Sequence, residues 1–91
     1  MQNIKWSKTE KKIARHAFDK AYKREMKHIE NEVRELLDKS EDVWSVWHIH
    51  DFLTKKRKET DQKYDYRYSV LITVFSHLCA EGWLLLDDLK G

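Results

Sequence analysis

Proline is absent from the 91-residue chain, and its two glycines, Gly82 and Gly91, both come near the end. Because proline and glycine are the strongest breakers of regular structure, no residue before Gly82 is an obvious interruption to a helix. The single cysteine, Cys79, excludes an intramolecular disulfide and a metal site built on cysteines, and it fits a reducing cytosol. The scarcity of proline and glycine predicts an all-α protein, and the single cysteine predicts that it lies in the cytoplasm.

The chain also lacks a dominant charge and a long apolar run. Its 18 Lys and Arg are set against 16 Asp and Glu, which leaves a net charge of +2, so no strong field of one sign favours nucleic acid. The most apolar run, residues 70–78, is too short to span a bilayer, and the first residues do not have the pattern of a signal peptide. We therefore expect one domain over residues 1–91, with no membrane partner.

Four helices are predicted. Ser7 and Glu10 have the spacing of a capping box, and the apolar residues behind them recur at steps of three and four. This pattern predicts a first helix over residues 7–39, and Ser40 offers an N-cap for a second over 41–64. A third helix, 66–81, would stop at Gly82, and a short one would follow over 83–89. The apolar stripe of the first helix consists of Phe18, Tyr22, Met26, Ile29, Val33 and Leu36.

The length of the first helix predicts a dimer. A straight helix of 33 residues is about 50 Å long, whereas a compact globule of this size is only about 30 Å across. The hairpin of the first two helices must then extend beyond a small head and expose its apolar stripe, unless a second copy covers it. We expect a homodimeric helical bundle; a kink or a frayed end in the first helix is the alternative.

The second helix carries two adjacent bands on a helical wheel. The apolar band is the predicted dimer interface, and it contains Val46, Ile49 and Leu53. The other band mixes aromatic and charged residues, which is unusual for a purely structural helix. Its members, all within about 120° of the helix circumference, are Trp47, His50, Asp51, Thr54, Arg57 and Asp61.

Four residues of the second helix invite a chemical interpretation. His50 and Asp51 are neighbours on a helix and point about 100° apart, so we do not expect an oriented catalytic dyad, and no nucleophile accompanies them. His48 and His50 are a poor metal pair for the same reason. Asp51 and Arg57, six residues apart, are not helix neighbours, so a second chain is the natural place for them to pair. No enzyme activity, metal or cofactor is predicted.

The run Lys55-Lys56-Arg57-Lys58 has two interpretations. It is either a solvated helix face or a patch that contacts phosphates. Acidic residues follow directly and cancel much of its charge. A small basic nucleic-acid-binding protein therefore stays a secondary hypothesis, behind a dimeric protein-binding module.

The segment WHIHDFLTKKRKETDQKYDYRYSVLITVFSHLCAEG, which begins at Trp47, resembles the fluorescence recovery protein family. That family has the pattern W-x-x-H-D-F-L-x-x-K-R-x-E-x-D-x-K-Y-D-x-R-x-S-V ahead of an apolar helix that ends in E-G. Upstream, WSKTEKKIARHAFDKAYKRE is similar to the same family's first helix, so the resemblance covers about residues 6 to 86.

The resemblance implies a partner and a role. Members are all-helical dimers that bind the C-terminal domain of the photoactivated orange carotenoid protein and speed its return from the red to the orange form. Trp47, His50, Asp51 and Arg57 match the patch associated with that activity, and Val46 matches a dimer-interface position. Because similar proteins occur in bacteria without a carotenoid protein, a dimeric scaffold with an unknown partner in a non-photosynthetic host is the alternative.

Overall fold

The fold is a long helical hairpin with a small helical head, as a computed structural model describes it for residues 5–90. Helix α1 spans Lys8–Asp38, α2 spans Ser45–Lys63 and α3 spans Leu71–Glu81. A 3-10 turn, Leu86–Leu89, follows. Residues 5–90 contain no strand, so the prediction of an all-α fold is confirmed.

Helix α1 begins where the sequence predicts a cap. The hydroxyl of Ser7 accepts a hydrogen bond from the backbone amide of Glu10 at 3.1 Å, and the carboxylate of Glu10 accepts one from the amide of Ser7 at 2.8 Å. The 31 residues of α1 extend about 46 Å. They give the molecule its extents of 53 × 26 × 19 Å and a radius of gyration of 16.5 Å, above the roughly 12 Å of a compact chain.

The head contains the core of the molecule. Small residues of α1 are buried in the same cluster as side chains of α3, and Phe18 lies with them. The core is completed by the residue that follows the turn after α3, Leu84, which is almost fully buried. The other buried apolar residues of the cluster are Ala14, Ala17, Ala21, Leu71, Val74, Phe75 and Leu78.

Helix α2 begins four residues later than the predicted start at residue 41. Ser40 is not its cap: Trp44 is the N-cap residue and no side chain caps the helix. The carboxylate of Asp42 instead accepts a hydrogen bond from the backbone amide of Trp44 at 2.8 Å. This local bond holds residues 42–44 in a turn, and the helix starts at Ser45. The connection between α1 and α2 is therefore longer than expected.

Helix α3 also begins later, at Leu71 instead of residue 66. The chain between α2 and α3 is non-helical because its tyrosines pack on the core. Tyr64 and Tyr66 approach the ring of Phe18 edge-on, with ring centroids at 5.4 and 4.8 Å. Tyr68 packs on Trp6 at 5.8 Å. The alternating tyrosines thus form an aromatic cover on the head.

Gly82 ends α3 and reverses the chain. Its φ of +86° is in the left-handed region that glycine adopts without strain, and the next backbone amide bonds back to the carbonyl of Leu78 at 3.0 Å. The reversal returns the 3-10 turn to α1, where the guanidinium of Arg24 donates hydrogen bonds to both carboxylate oxygens of Asp88 and to the carbonyl of Trp83. This contact fastens the end of the chain to α1.

We expect Asp88→Asn to lower the free energy of unfolding by about 1 to 2 kcal/mol at neutral pH, after allowance for the partial exposure of Arg24. The hydrogen bond from Arg24 lowers the pKa of Asp88 to about 2, from an ordinary value of 3.8. A carboxyl whose pKa is lowered by folding stabilises the protein above its unfolded pKa and loses that contribution as the pH falls. The difference between wild type and variant should therefore shrink between about pH 4 and pH 2.

Urea denaturation at a series of pH values measures this difference. Asp87→Asn is the matched control, because Asp87 is the neighbouring carboxylate, is well exposed and pairs with Lys90 alone within residues 5–90. A loss for Asp88→Asn that equals the loss for the control, or that does not change with pH, would contradict the assignment.

Candidate protein-binding surface

The far end of the hairpin exposes apolar side chains that a single chain does not cover. Near the connection, Trp44 and Trp47 are both mostly exposed, and Val46 exposes 62% of its surface. Monomeric proteins rarely leave large apolar patches in water, so such a patch indicates an interaction site. The exposed members between residues 36 and 53 are Leu36, Leu37, Val43, Trp44, Val46, Trp47 and Leu53.

The predicted dimer residues lie along α2 within this region. Val46 and Leu53 are exposed, and Ile49 between them is partly buried. The exposed side chains of Val46 and Leu53 therefore contribute little to packing within a single chain. Their assignment to a dimer interface stays a prediction.

Trp47 and His50 form the aromatic part of the second band. Their rings meet edge to face with centroids 6.1 Å apart, and Trp47 is 59% exposed. The Nδ1 atom of His50 lies 3.4 Å from the carboxylate of Asp51. The two side chains therefore touch, contrary to the expectation from their helical spacing, but the contact is long and both remain in solvent. Such a pair offers polar groups to a partner and does not orient a proton transfer.

Arg57 is held by a carboxylate of its own helix. Its Nε donates to both oxygens of Asp61, at 3.2 and 3.1 Å, and both side chains are well exposed. Asp51 is not part of this pair, in line with the six-residue spacing. Because an exposed pair of this kind stabilises a helix only slightly, Arg57 can exchange Asp61 for an acceptor on a partner at little cost. The helical wheel places Asp61 in the band but does not predict its pairing with Arg57 at i,i+4.

A polar cluster that the sequence did not reveal fixes the other end of α2. The carboxylate of Glu25, a residue only 5% exposed, accepts hydrogen bonds from the ammonium of Lys63 and the hydroxyl of Tyr64, both at 2.8 Å. Lys63 also donates to Glu81 at 2.7 Å, and the indole of Trp83 donates to the same carboxylate at 3.0 Å. We call these five residues the hub; it joins α1, α2, α3 and the turn that follows.

The pKa shifts in the hub follow from burial and charge. Partial burial opposes the charge on Lys63, but its hydrogen bonds to Glu25 and Glu81 outweigh this effect and raise its pKa. The pKa of Glu81 is lowered, chiefly by the hydrogen bond from Lys63. Burial, followed by the bond to Glu25, raises the pKa of Tyr64. At neutral pH, Lys63 therefore stays cationic, Glu81 stays anionic and Tyr64 stays a hydroxyl donor. The hub is a structural cluster that fastens the C-terminal end of α2 to α1 and α3.

Two further properties bear on function. In the part of the chain that the structure describes, no three His, Cys, Asp or Glu side chains are grouped as a metal site requires. No helix between residues 5 and 90 is long and apolar enough to cross a membrane.

Comparison with known proteins identifies the family. The sequence profile of the photoprotection regulator fluorescence recovery protein matches residues 6–91. The chain belongs to the fluorescence recovery protein family. The resemblance predicted over about residues 6 to 86 is confirmed.

Individual members of the fluorescence recovery protein family agree with this assignment. The fluorescence recovery protein of Synechocystis sp. is 39% identical over 84 residues, which cover 92% of this chain and 77% of that protein. The structure of the Fremyella diplosiphon fluorescence recovery protein superposes with a TM-score of 0.85 at 46% identity and covers 96% of this chain and 85% of that one. The Synechocystis structure also gives 0.85, at 39% identity, with 93% and 83% covered.

Proposed function

We propose that this protein regulates photoprotection by binding the C-terminal domain of the photoactivated orange carotenoid protein and accelerating its return from the red to the orange form. Membership of the fluorescence recovery protein family supports the regulatory role. The choice of surface rests on one observation: the band of Trp47, His50, Asp51 and Arg57 is exposed on a helix whose C-terminal end the hub fastens to α1 and α3.

The chemistry of this band suits protein recognition. Tryptophan offers a large flat surface, and arginine offers five donors in a planar fork, so both bind with little loss of conformational freedom. His50 and Asp51 add polar groups at the edge of the indole ring. A partner surface with an apolar pocket and a nearby carboxylate or carbonyl would complement the band.

We infer that the working form is a homodimer in which Val46, Ile49 and Leu53 of two copies face each other. Two exposed apolar residues on one helix face support this inference, since burying them would remove apolar area from water. In such a dimer the band of Trp47, His50, Asp51 and Arg57, here called the Trp47 band, would lie beside the dimer interface. There it could contact the partner protein or the second copy.

We further infer that the protein acts by binding alone, without a reaction of its own, and in the cytoplasm. The side chains of the band are exposed and joined by long or solvated contacts, which is unsuited to proton transfer or nucleophilic attack. The single cysteine supports a reducing compartment.

The test is the rate at which a photoactivated orange carotenoid protein reverts in the dark. We expect the wild-type protein to accelerate this reversion and Arg57→Lys to lose most of the effect, by about tenfold or more, because an ammonium cannot reproduce the planar fork. Absorbance at the red band measures the rate. Lys55→Arg is the matched control, a conservative exchange at an exposed position of the same helix, and it should leave the acceleration unchanged.

Two results would contradict the proposal. If the wild type leaves the reversion of several such carotenoid proteins unchanged, the carotenoid protein is not its partner. If Arg57→Lys instead breaks the dimer, as light scattering and circular dichroism would show, Arg57 belongs to the dimer and not to the contact with the partner.

A further inference from the structure

Trp44 is a large exposed side chain beside the Trp47 band that the proposed function does not use. Its indole is 64% exposed, although tryptophan is on average well covered in folded proteins. Hydrogen bonds nevertheless hold its main chain in place: the amide donates to the carboxylate of Asp42 at 2.8 Å, and the carbonyl accepts from the amides of Trp47 and His48 at 3.1 and 3.2 Å. The start of α2 therefore presents an exposed indole on a fixed backbone.

Trp44 lies on the same face of α2 as the Trp47 band. Its φ of −82° and ψ of −11° are in the helical region, so the helical periodicity extends back to this residue. Residues three apart are neighbours on the surface of a helix. At 100° per residue, Trp44 lies about 60° from Trp47 and about 20° from Asp51 around the axis. The indole therefore extends the band by one turn towards the connection between α1 and α2.

Neither α1 nor the proposed second copy covers this side of α2. Phe52 lines a depression together with residues at the end of α1, so its side of α2 faces α1. On the wheel that places Trp47 at 0° and Trp44 at about 60°, Phe52 lies at about 140° and the apolar band of the predicted dimer interface at about 200–260°. A surface that covers Trp44 is therefore neither α1 nor a second copy docked on the apolar band.

The far end of the hairpin is acidic. Residues 30–51 contain seven Asp and Glu, and the positively charged residues among them are Arg34 and Lys39. Asp42 and Asp51 lie on either side of Trp44 along the chain. These carboxylates disfavour a surface that carries phosphates, such as nucleic acid or an anionic membrane, and favour a protein surface with basic residues. An exposed indole among carboxylates complements an apolar cleft bordered by Lys or Arg.

We propose that Trp44 is a second anchor for the carotenoid protein and inserts beside Trp47 into an apolar cleft that basic residues border. This inference rests on the proposed function and names a further residue that sets the affinity for the same partner. Two indoles one turn apart bury more flat apolar surface than either buries alone. The carboxylates near Trp44 pair with the basic residues of the cleft and fix the direction in which α2 lies on the partner.

The test separates affinity from the maximal effect. The dark reversion rate of photoactivated orange carotenoid protein is measured at increasing concentrations of this protein. We expect Trp44→Ala to raise the concentration that gives half of the maximal acceleration by about tenfold or more, and to change the maximal rate less than about twofold. Trp44→Tyr keeps a flat aromatic ring and should restore most of the affinity.

His48→Ala is the matched control. His48 is an exposed aromatic residue one turn after Trp44, and it lies at about 100° on the wheel, outside the extended band. Its replacement should change the half-maximal concentration less than about twofold.

A charge reversal tests the basic border of the cleft. Glu41→Lys places a cation close to Trp44 and should raise the half-maximal concentration about threefold or more. Salt screens the attraction in the wild type, so the difference between the two proteins should shrink as the ionic strength rises.

The outcomes distinguish this proposal from the proposed function. If the wild type accelerates the reversion and Trp44→Ala has an unchanged half-maximal concentration, Trp44 is not an anchor and the proposed function stands. If the wild type has no effect on the reversion, both are overturned. If Trp44→Ala and Trp44→Tyr both lower the oligomer mass in light scattering, the indole belongs to a contact between copies of this chain, and its assignment to the carotenoid protein is wrong.

Discussion

Lys63→Met is expected to lower the free energy of unfolding by about 3 kcal/mol or more, because it leaves the carboxylate of Glu25 buried without a cation. The two side chains are 7% and 17% exposed and 2.8 Å apart, so solvent cannot replace the lost ammonium. Removal of one partner of a buried pair costs far more than the pair itself contributes. Chemical denaturation followed by circular dichroism, at one fixed protein concentration, measures the loss.

Two variants make this measurement specific to the charge. Lys55→Met removes a lysine from an exposed position of the same helix and should change the stability only slightly. In the double variant Lys63→Met, Glu25→Gln the buried group is neutral, so part of the lost stability should return. Equal losses for Lys63→Met and Lys55→Met would show that the hub does not stabilise the head.

Val46→Glu is expected to convert the proposed dimer into monomers. In a two-fold interface the substitution buries two unpaired carboxylates close to each other, at a cost of several kcal/mol. In the single chain the same position is 62% exposed, so the folded monomer should accept the charge without loss of helix content. Light scattering at micromolar concentration measures the mass, and circular dichroism measures the helix content.

The control for Val46→Glu is Leu86→Glu, which makes an equivalent apolar-to-acidic exchange on the head, far from the predicted dimer interface. It should remain a dimer. An unchanged dimer mass for Val46→Glu would exclude Val46 from the interface, and a monomeric wild type would exclude the dimer itself.

The sequence alone predicts those features of the fold that depend on residues close together along the chain. The capping box of Ser7 and Glu10 is a contact across three residues, and the end of α3 at Gly82 needs only a residue free to adopt a positive φ. The elongated shape followed from the length of α1. The sequence misplaces the start of α2 because Ser40 has the chemistry of a cap, whereas the helix begins without a side-chain cap after a turn that Asp42 stabilises.

Contacts between distant residues could not be predicted. Glu25 lies on the buried side of α1, where a carboxylate is unexpected, yet nothing in its surroundings along the chain points to Lys63, 38 residues away. Arg24 and Asp88 are 64 residues apart and meet only because Gly82 reverses the chain. At the candidate site, the sequence identified the residue types of the Trp47 band, whereas the pairing of Arg57 with Asp61 needed side-chain geometry.

The bond between Arg24 and Asp88 has a consequence for the order in which the molecule is assembled. The two helices of the hairpin are joined by residues 39–44, so their far ends meet after a short search. The head instead requires the chain to close on itself across 64 residues, which costs more conformational entropy and takes longer. The contact between Glu25 and Lys63, which fastens the C-terminal end of α2, closes 38 residues and is therefore expected to form after the hairpin connection and before the contact of Arg24 with Asp88. We therefore expect a folding chain to present its Trp47 band before the contacts of the head are complete.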